Sequence, residues 1–329
     1  MLAAMLAAVI PCFRVKRHIL GVLAAMPALV DRIYVVDDAC PEGSGSAVED
    51  GSRDPRVVVL RHERNRGVGG ATLTGYRAAL EGGATIVVRL DGDGQMDPAL
   101  IPRLVRPIEE GEADYAKGNR FFELGGLAAM PRLRLLGNSI LSFASKLSSG
   151  YWNVMDPTNG FTAIHADVLR QLPLDKLARG YFFESDLLFR LGTIRAVVCD
   201  VPMPARYGDE ASSLSVGRVA GEFAWKHLAN TGKRLFYSYY LRDFNIASIE
   251  IALGAPLVAF GAWIGVTRWM ESARHGTPAT SGTVMLAALP VVVGIQLVLA
   301  FLSYDLSNVP REVLHRRLAA RPRGAPTGA

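Results

Sequence analysis

Two aspartates one residue apart, Asp91 and Asp93, close a short apolar run made of Ile86, Val87, Val88 and Leu90. A β-branched run of this kind reads as a buried strand, and the Asp91-Gly-Asp93-Gly cluster that stops it reads as a turn. Carboxylates at the carboxyl end of a strand stand where open α/β sheets place their ligands. Two at this spacing can share one hard divalent cation, since Mg²⁺ takes one or two carboxylates and completes its shell with substrate phosphates. The chemistry on offer is a metal-bridged diphosphate site, with Asp97 as a third carboxylate nearby. A plain Asp-Gly surface turn accounts for the same stretch without function. An EF-hand calcium loop does not, because the glycine and glutamate it needs are replaced by Met96 and Pro102.

The elements that must position these carboxylates follow from periodicity. Apolar runs at 7–10, 33–36, 57–60 and 86–90 read as strands, and helical spacing at 19–29 and 70–80 separates them. Strands alternating with helices predict an α/β fold with a Rossmann-like, mostly parallel sheet and right-handed crossovers. The second strand ends on Asp37-Asp38, so acidic pairs close two strands on the same edge of that sheet. Between the third strand and its helix lies the basic, glycine-rich segment 62–70. Helix N-terminal amides beside Arg64 and Arg66 make a candidate anion site there. A dinucleotide fingerprint is excluded: after Gly67 and Gly69 the third glycine position holds Thr72, and the loop follows the third strand instead of the first.

Taken in order and spacing, Val9-Ile-Pro-Cys-Phe13, Val35-Val-Asp-Asp38, Arg64-Asn-Arg-Gly67 and Asp91-Gly-Asp-Gly-Gln95 resemble family 2 glycosyltransferases of the GT-A fold. Within that family the chain looks like the polyprenyl-phosphate sugar synthases, the dolichol-phosphate mannosyltransferase group. The resemblance implies that Pro11 and Phe13 border a nucleotide pocket and that Asp38, with Asp37, recognises the base or ribose. It implies that Asp91 and Asp93 hold Mg²⁺ or Mn²⁺ against a donor diphosphate, with Gln95 beside them and Arg64, Asn65 and Gly67 in the donor site. One departure is visible: Arg14 stands where many relatives have asparagine.

The second half of the domain carries further candidates. Asp114-Tyr-Ala-Lys-Gly-Asn-Arg120 reads as a strand ending in a basic turn, which makes Lys117 and Arg120 candidates for the acceptor phosphate; a solvated strand end is the alternative. After a helical stretch at 133–147, Met155-Asp-Pro-Thr-Asn-Gly-Phe161 resembles the Asp-x-x-Ser-Gly-Phe element of the synthases, and Asp156 is thereby a candidate for the sugar or acceptor region. A capped turn explains it equally well. Glu184 and Asp186 precede an apolar helix at 187–191; the resemblance implies a base or an acceptor-orienting group, and the helix macrodipole alone favours carboxylates there. A lipid monophosphate is already anionic and needs neutralisation more than deprotonation. After a strand at 197–201, the loop 202–213 resembles the lid of the synthases, with Arg206 reaching the donor diphosphate and Gly208 as a hinge.

The composition is 50% hydrophobic over 329 residues, which points to a membrane portion. The three cysteines, Cys12, Cys40 and Cys199, are odd in number and widely spaced, which excludes a disulfide framework or a CxxC zinc site. Residues 1–10 mimic a signal peptide but lack a basic start and run into Pro11, so they read as a first strand. The segment 214–242 is basic and rich in aromatics, as suits a membrane surface; nucleic acid is the rival partner, and the apolar stretches that follow decide against it. Residues 246–270 and 283–302 are each near the length that crosses a bilayer and read as a transmembrane hairpin. Lys233, Arg234 and Arg242 before it, and Arg311, Arg316 and Arg317 after it, predict that the catalytic domain and both termini are cytoplasmic.

The expected organisation is a GT-A domain at 1–213, juxtamembrane amphipathic helices at 214–245, two membrane helices at 246–302 and a basic, partly disordered tail at 303–329. The expected activity is metal-dependent, inverting transfer of a sugar from a nucleotide-sugar donor to polyprenyl phosphate at the lipid bilayer. Transfer to a glycolipid or polysaccharide hydroxyl is the alternative, weakened by the lack of a Gln-x-x-Arg-Trp element. A silent scaffold is a third reading, and it is at odds with an intact acidic pair. The sugar, and whether the chain forms a homo-oligomer, are left open by these motifs.

Overall fold

The structure, a computed structural model, describes residues 5–122, 132–204 and 216–320. The chain divides into two compact units, one formed by Met1–Thr231 with Pro310–Ala329 and the other by Gly232–Val309.

The first unit is built on a seven-stranded sheet of β1 (Leu6–Cys12), β2 (Arg32–Asp37), β3 (Val57–Arg61), β4 (Ile86–Arg89), β5 (Tyr115–Asn119), β6 (Thr162–His165) and β7 (Val198–Pro202). Their order is β3-β2-β1-β4-β6-β5-β7. Only β6 runs against its neighbours β4 and β5; the other pairings are parallel, as the alternation of strands and helices predicts. Every residue of β1 is buried, which is why it reads as an unbroken apolar run and not as an alternating one. Strand β1 lies between β2 and β4, the two strands that lead into the acidic pairs Asp37-Asp38 and Asp91-Asp93. Chain order reverses here, and at such a switch point parallel sheets open a crevice at their carboxyl edge.

The helices of this unit are α1 (Ile19–Ala24), α2 (Ser44–Gly51), α3 (Gly67–Glu81), α4 (Ile101–Glu109), α5 (Arg132–Ser149), α6 (Ala166–Gln171), α7 (Phe183–Thr193) and, reaching the unit boundary, α8 (Val216–Phe236). Helix α1 stops well short of the periodic stretch 19–29 because Pro27 supplies no backbone donor and restricts the residue before it. The main core gathers Ile10, Ile33, Val35 and Val88 from the sheet with Ile19, Val22, Leu104 and Ile108 from α1 and α4.

The second unit contains α9 (Ile246–His275) and α10 (Ser281–Ser307), both long and apolar enough to cross a membrane by length and composition. Asn245 and Ser248 form a reciprocal cap at the start of α9, and Gly276 ends it in a left-handed conformation at φ 64°. The pair packs backbone to backbone. A Cβ on Gly294 would fall 2.8 Å from the Gly254 carbonyl, and one on Gly261 would fall 2.6 Å from the Ala287 carbonyl. Close approach through small residues is how helices associate where burial of apolar surface gives no drive. Near the end of α10 the buried Asp305 accepts both Nη groups of Arg234, at 2.7 and 3.0 Å, together with the Tyr239 hydroxyl. A carboxylate at a helix carboxyl end is disfavoured by the dipole, and the guanidinium offsets it.

Beyond α10 the chain rejoins the first unit through α11 (Leu314–Ala319). Asp114, fully buried just before β5, accepts the backbone amides of Val197, Leu314 and His315 and the His315 Nδ1 at 2.7–2.8 Å. Burial alone would raise this carboxyl, but the donors of His315, Leu314 and Val197 outweigh it and hold the pKa below the ordinary value. The His315 ring stacks on His165 at 4.2 Å.

Candidate active site

The acidic turn after β4 is held from beneath. Arg89, the last residue of β4, is buried, and it donates from Nη2 to Asp91 Oδ1 at 2.7 Å and from Nη1 to Glu184 Oε1 at 2.6 Å. The Asp91 side chain remains 31% exposed. Gly92 packs into the core, where a Cβ would sit 3.1 Å from Val15 and 3.3 Å from the Cys12 sulfur. Gly94 takes φ 79°, a left-handed turn that a Cβ would strain. Asp93 Oδ1 accepts the Gln95 amide at 3.0 Å, and the Met96 sulfur accepts the Asp91 amide at 3.2 Å. These bonds orient the two carboxylates at the end of a rigid strand.

Beside the turn is a cleft lined by Gln95, Met96, Asp97, Leu100, Arg120, Asn159 and Met203. Arg120 grips Asp156 with a two-pronged ion pair, Nε to Oδ2 at 2.8 Å and Nη2 to Oδ1 at 3.1 Å. Asp156 is 0% exposed whereas the Arg120 side chain is 31% exposed. The carboxylate is therefore a mount for the guanidinium, and a surface cation reaches the cleft. Lys117, read as a partner for an acceptor phosphate, is fully buried; its ammonium donates to the Asn159 carbonyl. Burial lowers its pKa to about 8. Its place in β5 points it into the interior, where it braces the turn that carries Asp156 and Asn159.

The acidic pair after β2 is committed locally. Asp37 accepts the amides of Cys40 at 2.8 Å and Gly45 at 2.9 Å, which fixes the start of α2. Asp38 Oδ1 accepts His62 Nδ1 at 2.6 Å and the Arg66 amide at 2.8 Å, tying β2 to the loop before α3. Pro11, one residue before the end of β1, is in register with Val36, and Phe13 just beyond the strand is exposed, with the Arg14 guanidinium 5.4 Å over its ring. Arg14 has φ 60°, a left-handed conformation that asparagine adopts more readily than arginine.

The glycine-rich loop has a use the sequence did not disclose. Asn65 Oδ1 accepts the Gly67 amide at 3.0 Å, but the glycines beyond are pressed against the segment before α7. A Cβ on Gly67 would meet the Arg179 carbonyl at 2.7 Å, one on Gly69 would meet the Ala178 carbonyl at 2.5 Å, and the Gly70 amide donates to the Arg179 carbonyl at 3.0 Å. Close packing accounts for these glycines, and one amide read as an anion donor is already used; Arg64 stays exposed.

Asp186 is likewise engaged by its neighbours, mainly through one oxygen. Its Oδ2 accepts the Ala178 amide at 2.9 Å and Arg190 Nε at 3.1 Å, and its Oδ1 takes Asn230 from α8 at 3.4 Å. The buried carboxylate ties α7 to its neighbours and does not line the cleft. Arg206 lies outside the described residues. Arg89, which no motif had marked, is the residue through which Asp91 and Glu184 meet.

The model of glycosyl transferase family 2 matches residues 8–172, half of the chain. The chain is a family 2 glycosyltransferase. An undecaprenyl-phosphate mannosyltransferase of Micrococcus luteus is 32% identical to this glycosyltransferase over 192 residues, 58% of this chain and 78% of that protein. A UDP-N-acetylglucosamine–dolichyl-phosphate N-acetylglucosaminyltransferase of Methanococcus voltae is 34% identical over 152 residues, 46% of this chain and 60% of its own length. Among solved structures, glucosyl-3-phosphoglycerate synthase from Mycobacterium tuberculosis, in complex with Mn²⁺, uridine diphosphate and phosphoglyceric acid, superposes with a TM-score of 0.53 at 21% identity. That likeness covers 70% of this chain and 78% of the synthase. The glycosyltransferase thus has the expected GT-A fold, followed by two long apolar helices.

Proposed function

We propose that this glycosyltransferase moves a sugar from a nucleotide-sugar donor to polyprenyl phosphate at the cytoplasmic membrane face, with a divalent cation and with inversion at the anomeric carbon. The observation that carries the reading is the pairing of opposite charges at one sheet edge. Two carboxylates rise from the end of β4, and Arg120 is presented to the adjoining cleft by a buried counter-ion. Donor diphosphate and acceptor phosphate are both anions, so a site for them needs one cation held by protein carboxylates and another supplied by the protein itself.

The residues fit a metal of that kind. Among the described residues no group of three or more histidine, cysteine, aspartate or glutamate side chains forms a protein-only cage. Asp91 Oδ2 makes no hydrogen bond among the described residues, and the Asp91-Gly-Asp93 pair offers hard oxygen donors at a partly exposed position. A cation held there by Asp91 and Asp93 completes its shell with substrate phosphates, as Mg²⁺ or Mn²⁺ does. It would supply charge neutralisation for the departing nucleoside diphosphate.

Around it, Gln95 and the exposed Phe13 would contact the donor, with Pro11, Asp37, Asp38, Asn65, Gly67 and Arg64 shaping the same edge. Arg120 faces the acceptor phosphate. Asp156 and Asp186, each buried and paired with an arginine, hold Arg120 and α7 in place; a phosphate acceptor asks for no general base. The two long helices and the basic segment before them keep the catalytic domain at the bilayer, and concentrating the lipid acceptor there raises its effective molarity. The boundaries 1–213, 214–245, 246–302 and 303–329 describe that division of labour. The two relatives act on different sugars by name, so the donor is left to experiment.

The test is to incubate the membrane-reconstituted protein with labelled nucleotide sugars, polyprenyl phosphate and Mn²⁺ or Mg²⁺. Metal-dependent labelled lipid from the wild type, absent with Asp93→Ala, supports the reading and identifies the sugar. Release of nucleoside diphosphate only when a hydroxyl acceptor is added would overturn it.

A further inference from the structure

We propose that Arg89 and Glu184 are positioning residues for Asp91, setting the affinity of the cation site, an inference that rests on reading Asp91 and Asp93 as a metal pair. Strand β4 is buried throughout, yet its last position carries a guanidinium. That group meets two carboxylates, Asp91 at 2.7 Å and Glu184 at 2.6 Å, and of these Asp91 is the more exposed, at 31% against 11%. A third segment makes room for it: a Cβ on Gly160 would lie 2.1 Å from Arg89 Nη1. Three stretches far apart in sequence, β4, the turn before β6 and the start of α7, are therefore shaped around one cation.

The arrangement is not that of an ion pair selected for stability alone. Arg89 Nε is buried without a hydrogen-bond partner, so the guanidinium is placed by its two carboxylates at the expense of its third donor. A fork of this kind fixes Asp91 Oδ1 and with it the rotamer, while leaving Oδ2 to a ligand. A guanidinium directly behind a metal ligand would by itself repel the incoming cation. Glu184 offsets that charge: Asp91, Asp93 and Glu184 against Arg89 amount to three negative charges and one positive. Without Glu184 the excess falls from two to one. Lysine could supply the charge but not the rigid two-pronged geometry. Groups that orient a metal ligand from behind commonly change metal affinity by about 10–100-fold when removed.

The experiment titrates Mn²⁺ into the full-length protein in detergent and counts free Mn²⁺ by electron paramagnetic resonance, with and without uridine or guanosine diphosphate. Thermal unfolding in EDTA is measured alongside. The variants are Glu184→Gln, Arg89→Lys and the double Arg89→Met/Glu184→Met, which removes both buried charges at similar volume and so avoids leaving one unpaired. The expected result is a rise of about tenfold or more in the Mn²⁺ Kd for Glu184→Gln and the double variant, with a smaller rise for Arg89→Lys. The metal-free unfolding temperature should not track that order. A Kd within twofold of wild type in both Glu184→Gln and the double variant, whatever their stability, overturns the inference and leaves the pair a structural one. Asp93→Ala separates this from failure of the metal reading: if wild type and Asp93→Ala bind Mn²⁺ equally, or neither binds it, that reading falls and takes the inference with it.

Discussion

Two sets of carboxylates in the first unit are chemically alike and sit in opposite conditions. Asp91 and Asp93 stand in the turn after β4, partly exposed, with Asp91 Oδ1 held by Arg89 and Asp93 Oδ1 by the Gln95 amide. Asp156 and Asp186 are buried and bonded by Arg120, Arg190, Asn230 and backbone amides. A carboxylate that is buried and already paired with a guanidinium is less available to a substrate than a partly exposed one. The sequence pattern marks both sets as candidates, and it is burial together with arginine pairing that sets Asp156 and Asp186 apart from the pair to which the proposed function gives the chemistry.

The sharpest way to break that contrast is Asp93→Asn. It should lower kcat/KM by at least about 100-fold, the scale of losing one preorganised charge contact, while the apparent Tm shifts by no more than about 2 °C. An active Asp93→Asn would erase the distinction. Asp186→Ala should do the reverse: loss of about 3 kcal/mol, seen as a Tm lower by roughly 6–12 °C, because Arg190 and the Ala178 amide lose their acceptor. Asp186→Asn keeps an acceptor and should keep most of the activity; an inactive but stable Asp186→Asn would restore the base reading.

Arg120 belongs to both sets, so Arg120→Ala should show both effects at smaller size. We expect about 2 kcal/mol of destabilisation from stranding Asp156, with an acceptor KM raised roughly tenfold, measured by thermal melts and initial rates at varied lipid. The smallest effect concerns Asp200 on β7, whose carboxyl burial pushes up to about 6 and whose Oδ1 is buried without a partner. Its pKa is higher folded than unfolded, so the folded state binds the extra proton between about pH 4 and 6 and stability falls as pH rises through that window. Asp200→Asn removes the charge, and its stability gain over wild type should be greater at pH 7.5 than at pH 5, by about 1 kcal/mol or less after screening, read from thermal melts at the two pH values. An equal gain at both would show that Asp200 titrates normally.

How much of this was legible depends on the range of the signal. The ends of β2 and β4 were readable because β-branched runs stop abruptly at aspartate, a local contrast that needs no partner. Strand β6 was not, since its four residues follow an Asn-Gly turn and are too short to show a period. Helix α4 was hidden by Pro102 and Pro107, and α2 by its glycines and serines. The 62–70 loop invited an anion reading because its glycines are visible while the carbonyls that press on them, at 178 and 179, are more than a hundred residues away. Arg89 was passed over for the same reason: in a strand it looks like an outward residue until α7 brings Glu184 to it.

Helix α11 has a consequence for crossing number. It follows α10 in the chain but is built into the first unit, with the buried Asp114 receiving its first amides. A chain that leaves a folded body and is later woven back into it cannot end its excursion on the far side of a barrier that the body does not cross. Whatever bilayer passages lie between Thr231 and Pro310, their number is therefore even, and the parity is fixed by a four-donor cradle around a single aspartate.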